Sequence, residues 1–191
     1  MQLIGSIASP YVRRIRLLLG DQDYQFDNLQ IFGADRDTLR RINPTLKIPA
    51  LIDGDTTLFD SRVIARYLMQ QGGHQPLSWA SENDLTVIDA AVDSAVALFF
   101  AIRSDMDPAQ DALIFNVQRD RLAQTIGWLE QRAKAGMFDA WDYPAMCLYS
   151  GVDWMTYRSL FDFGLFPGLQ ALQAHHQSQP KVAATDPRQA D

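Results

Sequence analysis

Hydrophobic positions change their spacing repeatedly along the first 73 residues. An apolar run at Met1–Gly5 predicts a strand, and apolar residues within Tyr11–Leu19 recur on one helical face. The three arginines of that helix fall off this face: Arg13, Arg14 and Arg16. The further predicted elements are a strand through Phe26, Leu29 and Ile31, a helix at Thr38–Ile42, a hairpin of Ile48–Ile52 with Thr56–Phe59, and a helix at Ser61–Gln71. The predicted order is β-α-β-α-β-β-α, a small mixed α/β domain.

Strand patterns disappear in the rest of the chain, where helices are predicted. Apolar residues recur at helical spacing in Leu85–Arg103 and Asp111–Ala135, and a shorter helix is predicted at Leu169–His176 before a polar tail. Ser150–Asp153 has the form of a capping box, in which the first and last side chains satisfy free amides at a helix start. A helix is therefore predicted to begin at Ser150.

The boundary between the mixed strand and helix pattern and the all-helical pattern is rich in residues that interrupt helices. Gly72, Gly73 and Pro76 cluster there, which is typical of a linker. We therefore predict a mixed domain at 1–73, a linker at 74–79 and an all-helical domain at 80–191.

Composition narrows the class of protein. The 191 residues include 17 Lys and Arg against 23 Asp and Glu, a net charge of −6, and 47% apolar residues, enough for a core. An acidic chain without a basic stripe argues against nucleic-acid binding. Neither a signal peptide nor an uncharged run of about 18 residues is present, so we expect a cytoplasmic protein without a membrane span.

Few residues of the chain indicate a disulfide, a metal site, a nucleotide site or a serine-hydrolase site. The single Cys147, expected to be buried, excludes an internal disulfide, a paired-cysteine redox motif and a thiolate metal cluster within the chain. His175 and His176 are adjacent without other ligands at metal-binding spacing, so we expect surface residues and no metal site. Phosphate-loop, dinucleotide and serine-hydrolase fingerprints are absent.

Three blocks carry a resemblance: Gly5–Arg14, Asn43–Leu51 and Leu58–Ser61. In order and spacing they resemble the glutathione transferase family, in particular its bacterial, serine-type members. Ser150–Asp153 and Phe166–Leu169 resemble segments of that family's second domain. The resemblance implies an α/β thioredoxin-like N-terminal domain followed by an all-α C-terminal domain.

Ser9 is the main catalytic candidate. Ser9 followed by Pro10 is typical of a helix N-cap in any protein. The resemblance implies more: the Ser9 hydroxyl stabilises the thiolate of glutathione, the co-substrate and nucleophile, at a helix N-terminus that favours negative charge. Ser6 and Tyr11 are the alternatives for this role. Ser9 and Val12 stand where glutaredoxins have cysteines, so mixed-disulfide chemistry through a protein thiol is not available there.

The other two blocks supply the candidate glutathione contacts. The resemblance implies that Pro49 follows a cis peptide bond and that the backbone of Ile48 pairs with the cysteinyl part of glutathione. Lys47 would meet the glycyl carboxylate, or simply be solvated. Asp60 would meet the γ-glutamyl ammonium and Ser61 its carboxylate, at a helix N-terminus where Asp60 is also a plausible cap.

These assignments imply an enzyme that directs the glutathione thiol at a hydrophobic electrophile. Phe99, Phe100 and Arg103 are candidate walls for this second substrate, although core packing is equally consistent with both phenylalanines. The family also implies a homodimer and a role in detoxification. The alternatives are glutathione-dependent reduction of disulfides or peroxides, and a non-catalytic binding or regulatory protein with this fold.

Charge divides unevenly between the predicted domains. Residues 1–73 carry nine basic and eight acidic groups, net +1, whereas residues 74–191 carry eight and fifteen, net −7. The near-neutral first domain suits an anionic tripeptide. The acidic second half is expected to discourage anionic second substrates.

Overall fold

The computed structural model describes residues 1–190, which form two compact units. The first contains Met1–Pro76 and the C-terminal segment that begins at Ser178, and the second contains Leu77–Gln177. A four-stranded mixed sheet with helices makes up the first, and helices make up the second. The predicted fold class is therefore confirmed.

Four short strands form the sheet of the first unit: β1 (Gln2–Gly5), β2 (Gln25–Asn28), β3 (Ala50–Asp53) and β4 (Thr56–Phe59). Their order is β2-β1-β3-β4, with β1 and β2 parallel and the other neighbours antiparallel. Strand β2 is shorter than predicted. The amide of Leu29 still donates to Gly5 O at 2.6 Å, but the chain turns before Ile31.

Three helices accompany this sheet: α1 (Pro10–Leu19), α2 (Arg36–Ile42) and α3 (Ser61–Gln71). Val12 and Ile15 of α1 are fully buried, as their spacing predicts. Gly5 allows the start of α1 to approach the end of β1 closely, since a Cβ at Gly5 would lie 2.4 Å from Val12 Cγ2. This contact fixes the start of α1, and with it Ser9, against β1.

Two arginines of α1 are buried, although they lie off the apolar face of the helix. Arg13 and Arg14 are only 2% and 1% exposed. The C-terminal segment covers Arg13, whose Nε donates to Thr185 Oγ1 at 3.3 Å and whose Nη2 donates to Val182 O at 3.2 Å. Residues 178–190, predicted to belong to the helical domain, are therefore part of the first unit.

The second unit consists of four helices: α4 (Trp79–Arg103), α5 (Leu113–Lys134), α6 (Tyr143–Tyr157) and α7 (Pro167–His176). Helix α4 begins earlier than the predicted Leu85 because Ser78 caps it, its Oγ accepting from Ser81 N at 3.1 Å. Arg132 of α5 and Asp84 of α4 join the two helices through a two-pronged ion pair, at 3.0 and 2.6 Å.

The prediction of a helix start at Ser150 is wrong. Ser150 is fully buried in the interior of α6, which begins eight residues earlier in sequence at the cap residue Asp142. The Asp142 carboxylate accepts from Ala145 N at 3.1 Å, and Pro144 occupies the first turn, where a missing N–H costs nothing. The spacing of Ser150 and Asp153 therefore reflects positions along one packed helix.

Within the described residues, α4 is the single helix long and apolar enough to cross a membrane by length and composition. It nevertheless carries Asp89 and Asp93 in its most apolar stretch, of which 44% is buried. Leu85, Ile88 and Val92 are buried along one face, and α4 contacts both α5 and α6. This is the pattern of a core helix.

Candidate functional site

The register of the sheet brings the ends of three strands to one edge. Gly5 ends β1, and the preceding Ile4 pairs with Ala50, the first residue of β3. Ala50 in turn pairs with Phe59, the last residue of β4. The segments that leave this edge are Ser6–Ser9, Ile48–Pro49 and Asp60–Ser61. Ser9 thus comes to the same edge of the first unit as Ile48, 39 positions later in sequence, and Asp60, 51 positions later.

Ser9 is the N-cap of α1. Its Oγ accepts from Val12 N at 3.3 Å, and its own amide donates to Ser6 O at 3.0 Å, which closes a tight turn after β1. The capping bond uses a lone pair of the Ser9 hydroxyl and leaves the hydroxyl hydrogen unused by that bond. Because Ser9 is partly exposed, a ligand anion at the N-terminus of α1 can accept that hydrogen.

The alternatives to Ser9 occupy different surroundings. Ser6 lies in the turn, partly exposed, and its carbonyl anchors Ser9. Tyr11 lies in the first turn of α1, with the Arg14 guanidinium 4.8 Å from its ring centroid. This contact fits a packing role for Tyr11. The choice among the three side chains stays a prediction.

The loop before β3 is held by a residue that sequence reasoning did not single out. Asn43 is 1% exposed, and its Nδ2 donates to Lys47 O at 2.7 Å. Its Oδ1 accepts from Thr45 N at 3.0 Å and from Thr45 Oγ1 at 2.8 Å. The sequence Asn43-Pro44-Thr45 is typical of a turn closed by the Asn side chain, and it could have indicated this role of Asn43.

The predicted site residues of this loop differ in their exposure to solvent. The Ile48–Pro49 peptide bond is cis, as expected. Pro49 is buried, Ile48 is partly exposed and Lys47 is exposed. Exposure to solvent thus decreases along the loop from Lys47 to Pro49.

Replacing Asn43 with alanine should lower the free energy of unfolding by about 2 kcal/mol, because it removes all three hydrogen bonds and leaves Lys47 O without its donor. Urea denaturation followed by circular dichroism measures this. Asn83→Ala, at an exposed position of α4, is the control and should change stability by less than about 0.5 kcal/mol. Equal effects of the two substitutions would contradict the role of Asn43.

Asp60 and Ser61 begin α3. Asp60 Oδ1 accepts from Arg62 N at 2.8 Å and from Val63 N at 3.4 Å, which makes Asp60 the N-cap. Its φ of 72° lies in the left-handed region, which an aspartate adopts at a cost. Asp60 is exposed, whereas Ser61 is buried. The turn thus combines a surface carboxylate with the positive end of a helix.

The predicted second-substrate residues belong to the helical unit. Phe99 packs edge-on against Trp154, with ring centroids 5.5 Å apart, and Phe100 is exposed. Arg103 is exposed and lies 5.9 Å from the Phe99 ring centroid. The structure adds Arg158, whose guanidinium lies 5.6 Å from the same ring centroid.

The adjacent histidines are not both surface residues. His176 is fully buried, with Nε2 2.7 Å from Phe138 O, whereas His175 is exposed with Nε2 3.2 Å from Asp139 O. No group of three or more His, Cys, Asp or Glu side chains within residues 1–190 is arranged to hold a metal ion. Cys147 is buried, as predicted.

Comparison with known sequences places these residues in a family context. Residues 3–76 match the family described as Glutathione S-transferase, N-terminal domain. Glutathione S-transferase U17 of Arabidopsis thaliana is 31% identical over 107 residues, which are 55% of this chain and 44% of that protein. The chain spans about half the length of the curated relatives it matches.

Solved structures share the whole fold. A glutathione S-transferase of Methylobacillus flagellatus KT with glutathione bound has a TM-score of 0.85 and 21% identity, covering 97% of this chain and 98% of its own. A glutathione transferase family member of Pseudomonas fluorescens Pf-5, also with bound glutathione, has a TM-score of 0.80 and 26% identity, with the same coverage.

Proposed function

We propose that this chain, whose residues 3–76 match the glutathione S-transferase N-terminal domain, binds reduced glutathione and activates its thiol for attack on a small electrophile. The observation that carries the proposal is the meeting of three segments at one sheet edge: the turn ending at Ser9, the bend at Ile48–Pro49 and the start of α3 at Asp60. All of them lie within the family-matched residues 3–76.

Each part of glutathione has a chemically suitable partner in this proposal. The γ-glutamyl carboxylate binds at the N-terminus of α3 beside Ser61, and its ammonium binds the Asp60 carboxylate. The backbone of Ile48 pairs with the cysteinyl residue, and Lys47 meets the glycyl carboxylate. The cysteinyl sulfur then lies at Ser9.

The sulfur of glutathione, and not a protein side chain, is the nucleophile. Ser9 donates its hydroxyl hydrogen to the thiolate, and the dipole of α1 favours the same negative charge. The thiol proton passes to solvent, and the sulfur forms a bond to the electrophilic carbon, from which a leaving group departs with its electron pair. Thiolate formation and proximity supply the rate enhancement.

We also propose a cytoplasmic homodimer that detoxifies electrophiles. Cys147 is the single cysteine of the chain and is buried, and the scarcity of cysteine fits a reducing compartment. The hairpin between α4 and α5 exposes large apolar side chains, among them Ile102, Met106, Leu113 and Ile114. Large exposed apolar side chains such as these are often covered by a protein partner.

Titration calorimetry with glutathione and S-methylglutathione tests the function. Both ligands should bind at pH 6.5, and only glutathione should bind more tightly as the pH rises to 8, because only its sulfur becomes a thiolate. Asp60→Asn should weaken both ligands alike, since it acts on the ammonium. The exposed Asp55→Asn in the hairpin turn is the matched control and should leave both affinities unchanged.

Two results would overturn this proposal. If neither ligand gives a heat of binding, the chain does not bind glutathione and its ligand is a different molecule. If glutathione binds with the same affinity at pH 6.5 and pH 8, the chain binds glutathione without activating its thiol. A panel of electrophiles, peroxides and mixed disulfides then distinguishes conjugation from reduction.

A further inference from the structure

Residues 178–190, the C-terminal strap, belong to the first unit and contact α1 at more than one point. Lys181 of the strap forms an ion pair with Asp21, which lies just beyond the end of α1. Arg16, in the last turn of α1, donates from Nη2 to Ala184 O at 3.1 Å. The strap is therefore fastened to the C-terminal end of α1.

The strap also covers Arg13, one turn closer to the start of α1. The two acceptors of the Arg13 guanidinium, Thr185 Oγ1 and Val182 O, belong to residues that are only 3% and 4% exposed. The Thr185 hydroxyl is itself held, because it donates to Lys181 O at 2.8 Å. Removing an acceptor from a buried guanidinium costs more free energy than removing one from an exposed group. Arg13 thus ties α1 firmly to the strap.

Electrostatic attraction favours the same contact. Burial alone would raise the pKa of the Asp186 carboxyl in the strap, but hydrogen bonds from Arg188 and the positive charges of Arg188 and Arg13 outweigh burial. Together they hold the pKa of Asp186 below its ordinary value of 3.8. Asp186 is therefore ionised at neutral pH and attracts the buried cation of α1.

Arg13 is joined directly to Ser9. The amide of Arg13 donates to Ser9 O at 3.0 Å, the first backbone hydrogen bond of α1. Since Gly5 lets the same turn approach β1 closely, the start of α1 is held both by the sheet and by the strap. A misplacement of about 1 Å in a catalytic group can cost about a hundredfold in rate, so this double hold bears on the Ser9 hydroxyl.

We propose that the C-terminal strap holds the start of α1 through Arg13, which makes Arg13 and Thr185 positioning residues for the Ser9 hydroxyl. The action of Ser9 on a thiolate rests on the proposed transferase function, whereas the hold on α1 does not. Loosening the strap should therefore reduce thiol activation without weakening the glutathione contacts proposed for Asp60 and Ile48.

Hydrogen–deuterium exchange tests the hold on α1 without glutathione. Thr185→Val removes the hydroxyl acceptor and keeps the shape of the side chain, so the amides of α1 should exchange about tenfold faster while those of α3 keep their rates. Arg13→Lys keeps the charge but loses the planar fork and should act in the same direction, whereas Thr185→Ser should exchange like the wild type. Thr125→Val is the matched control, since the Thr125 hydroxyl donates to Arg121 O and Leu122 O within α5. It should leave the exchange of α1 unchanged.

The positioning role is tested on bound glutathione. In Thr185→Val the thiol pKa of bound glutathione, measured by ultraviolet absorbance of the thiolate, should rise, and kcat/KM for conjugation should fall about tenfold. The Kd of S-methylglutathione, which has no thiol, should stay the same. A loss of global stability alone would reduce the amount of folded protein without moving the thiol pKa in the part that is folded. Thr185→Ser should retain the wild-type values.

The outcomes separate the strap from the proposed reaction. Unchanged exchange of α1 in Thr185→Val, or an equal increase in α1 and α3, would overturn the hold of the strap, with circular dichroism checking that each variant is folded. Faster exchange of α1 with an unchanged thiol pKa would overturn the positioning role. If the wild type binds no glutathione, the proposed function fails, and faster exchange of α1 in Thr185→Val still supports the hold of the strap.

Discussion

Replacing Glu130 with glutamine should lower the free energy of unfolding by about 3 kcal/mol. Glu130 of α5 is 4% exposed, and its two oxygens accept from Gly168 N and Leu169 N, each at 2.9 Å. Lys134 Nζ lies 2.9 Å from the same carboxylate. A glutamine has one acceptor oxygen, so its NH₂ group would face a backbone N–H, and the N-terminus of α7 would lose its countercharge.

Urea denaturation at pH 7 measures this loss. Asp120→Asn removes a carboxylate from an exposed position of the same helix and should cost less than about 0.5 kcal/mol. An effect of Glu130→Gln no larger than that of the control would show that the carboxylate is not what holds α7.

The loss should also depend on pH. Burial alone would raise the pKa of the Glu130 carboxyl, but hydrogen bonds from Gly168, Lys134 and Leu169 outweigh burial and hold the pKa below its ordinary value of 4.5. A lowered pKa in the folded state stabilises the protein above the unfolded-state pKa, and this stabilisation is lost as the pH falls through the folded-state pKa. The stability difference between wild type and Glu130→Gln should therefore be constant from pH 6 to 8 and shrink below about pH 4.5.

This carboxylate shows why part of the fold could not be predicted from the sequence. The segment Phe166–Leu169 was identified, but its physical reason lies 38 residues away in Glu130. A Cβ on Gly168 would lie 3.0 Å from Glu130 O and 2.9 Å from Lys134 Cγ, so glycine permits the close approach of α7 to α5. Contacts at such sequence separation leave no periodic signal.

The errors have the same origin. The pattern places Arg13 off the apolar face of α1 and does not show that it is buried, because its partners, Val182 and Thr185, lie at the far end of the chain. Ser150 has the local spacing of a cap, but the stronger cap lies upstream at Asp142. Short sequence patterns predict the correct type of element, but they misplace its ends where those ends depend on distant residues.

The candidate glutathione site is more predictable because it depends on local features. A strand followed by Ser-Pro gives a capped helix, and the hairpin of β3 and β4 returns the chain to the same edge. What the sequence does not show is the register, which decides that the three segments share that edge. It also does not show Asn43, whose role depends on burial.

The largest effect on activity is expected at Ser9. Ser9→Ala should lower kcat/KM for conjugation by about a hundredfold, the scale seen when one preorganised donor to a developing anion is removed. The pKa of a free thiol is near 8.5, and each unit by which the site lowers it corresponds to about 1.4 kcal/mol in favour of the thiolate. Loss of the donor should therefore raise the thiol pKa of bound glutathione, measured by ultraviolet absorbance of the thiolate.

The structural role of Ser9 as the cap of α1 must be separated from this catalytic role. Alanine removes both the cap and the donor, at a stability cost of about 1 kcal/mol, whereas glycine is nearly as good a cap but has no hydroxyl. Ser9→Gly should therefore leave stability almost unchanged and still lose the hundredfold in kcat/KM, and Ser9→Thr should retain most of both properties. If the Ser9→Gly protein keeps the wild-type kcat/KM and the thiol pKa of bound glutathione does not shift, Ser9 acts only as the cap of α1. Ser6→Ala and Tyr11→Phe, tested in the same assay, would then show which hydroxyl of this segment binds the thiolate.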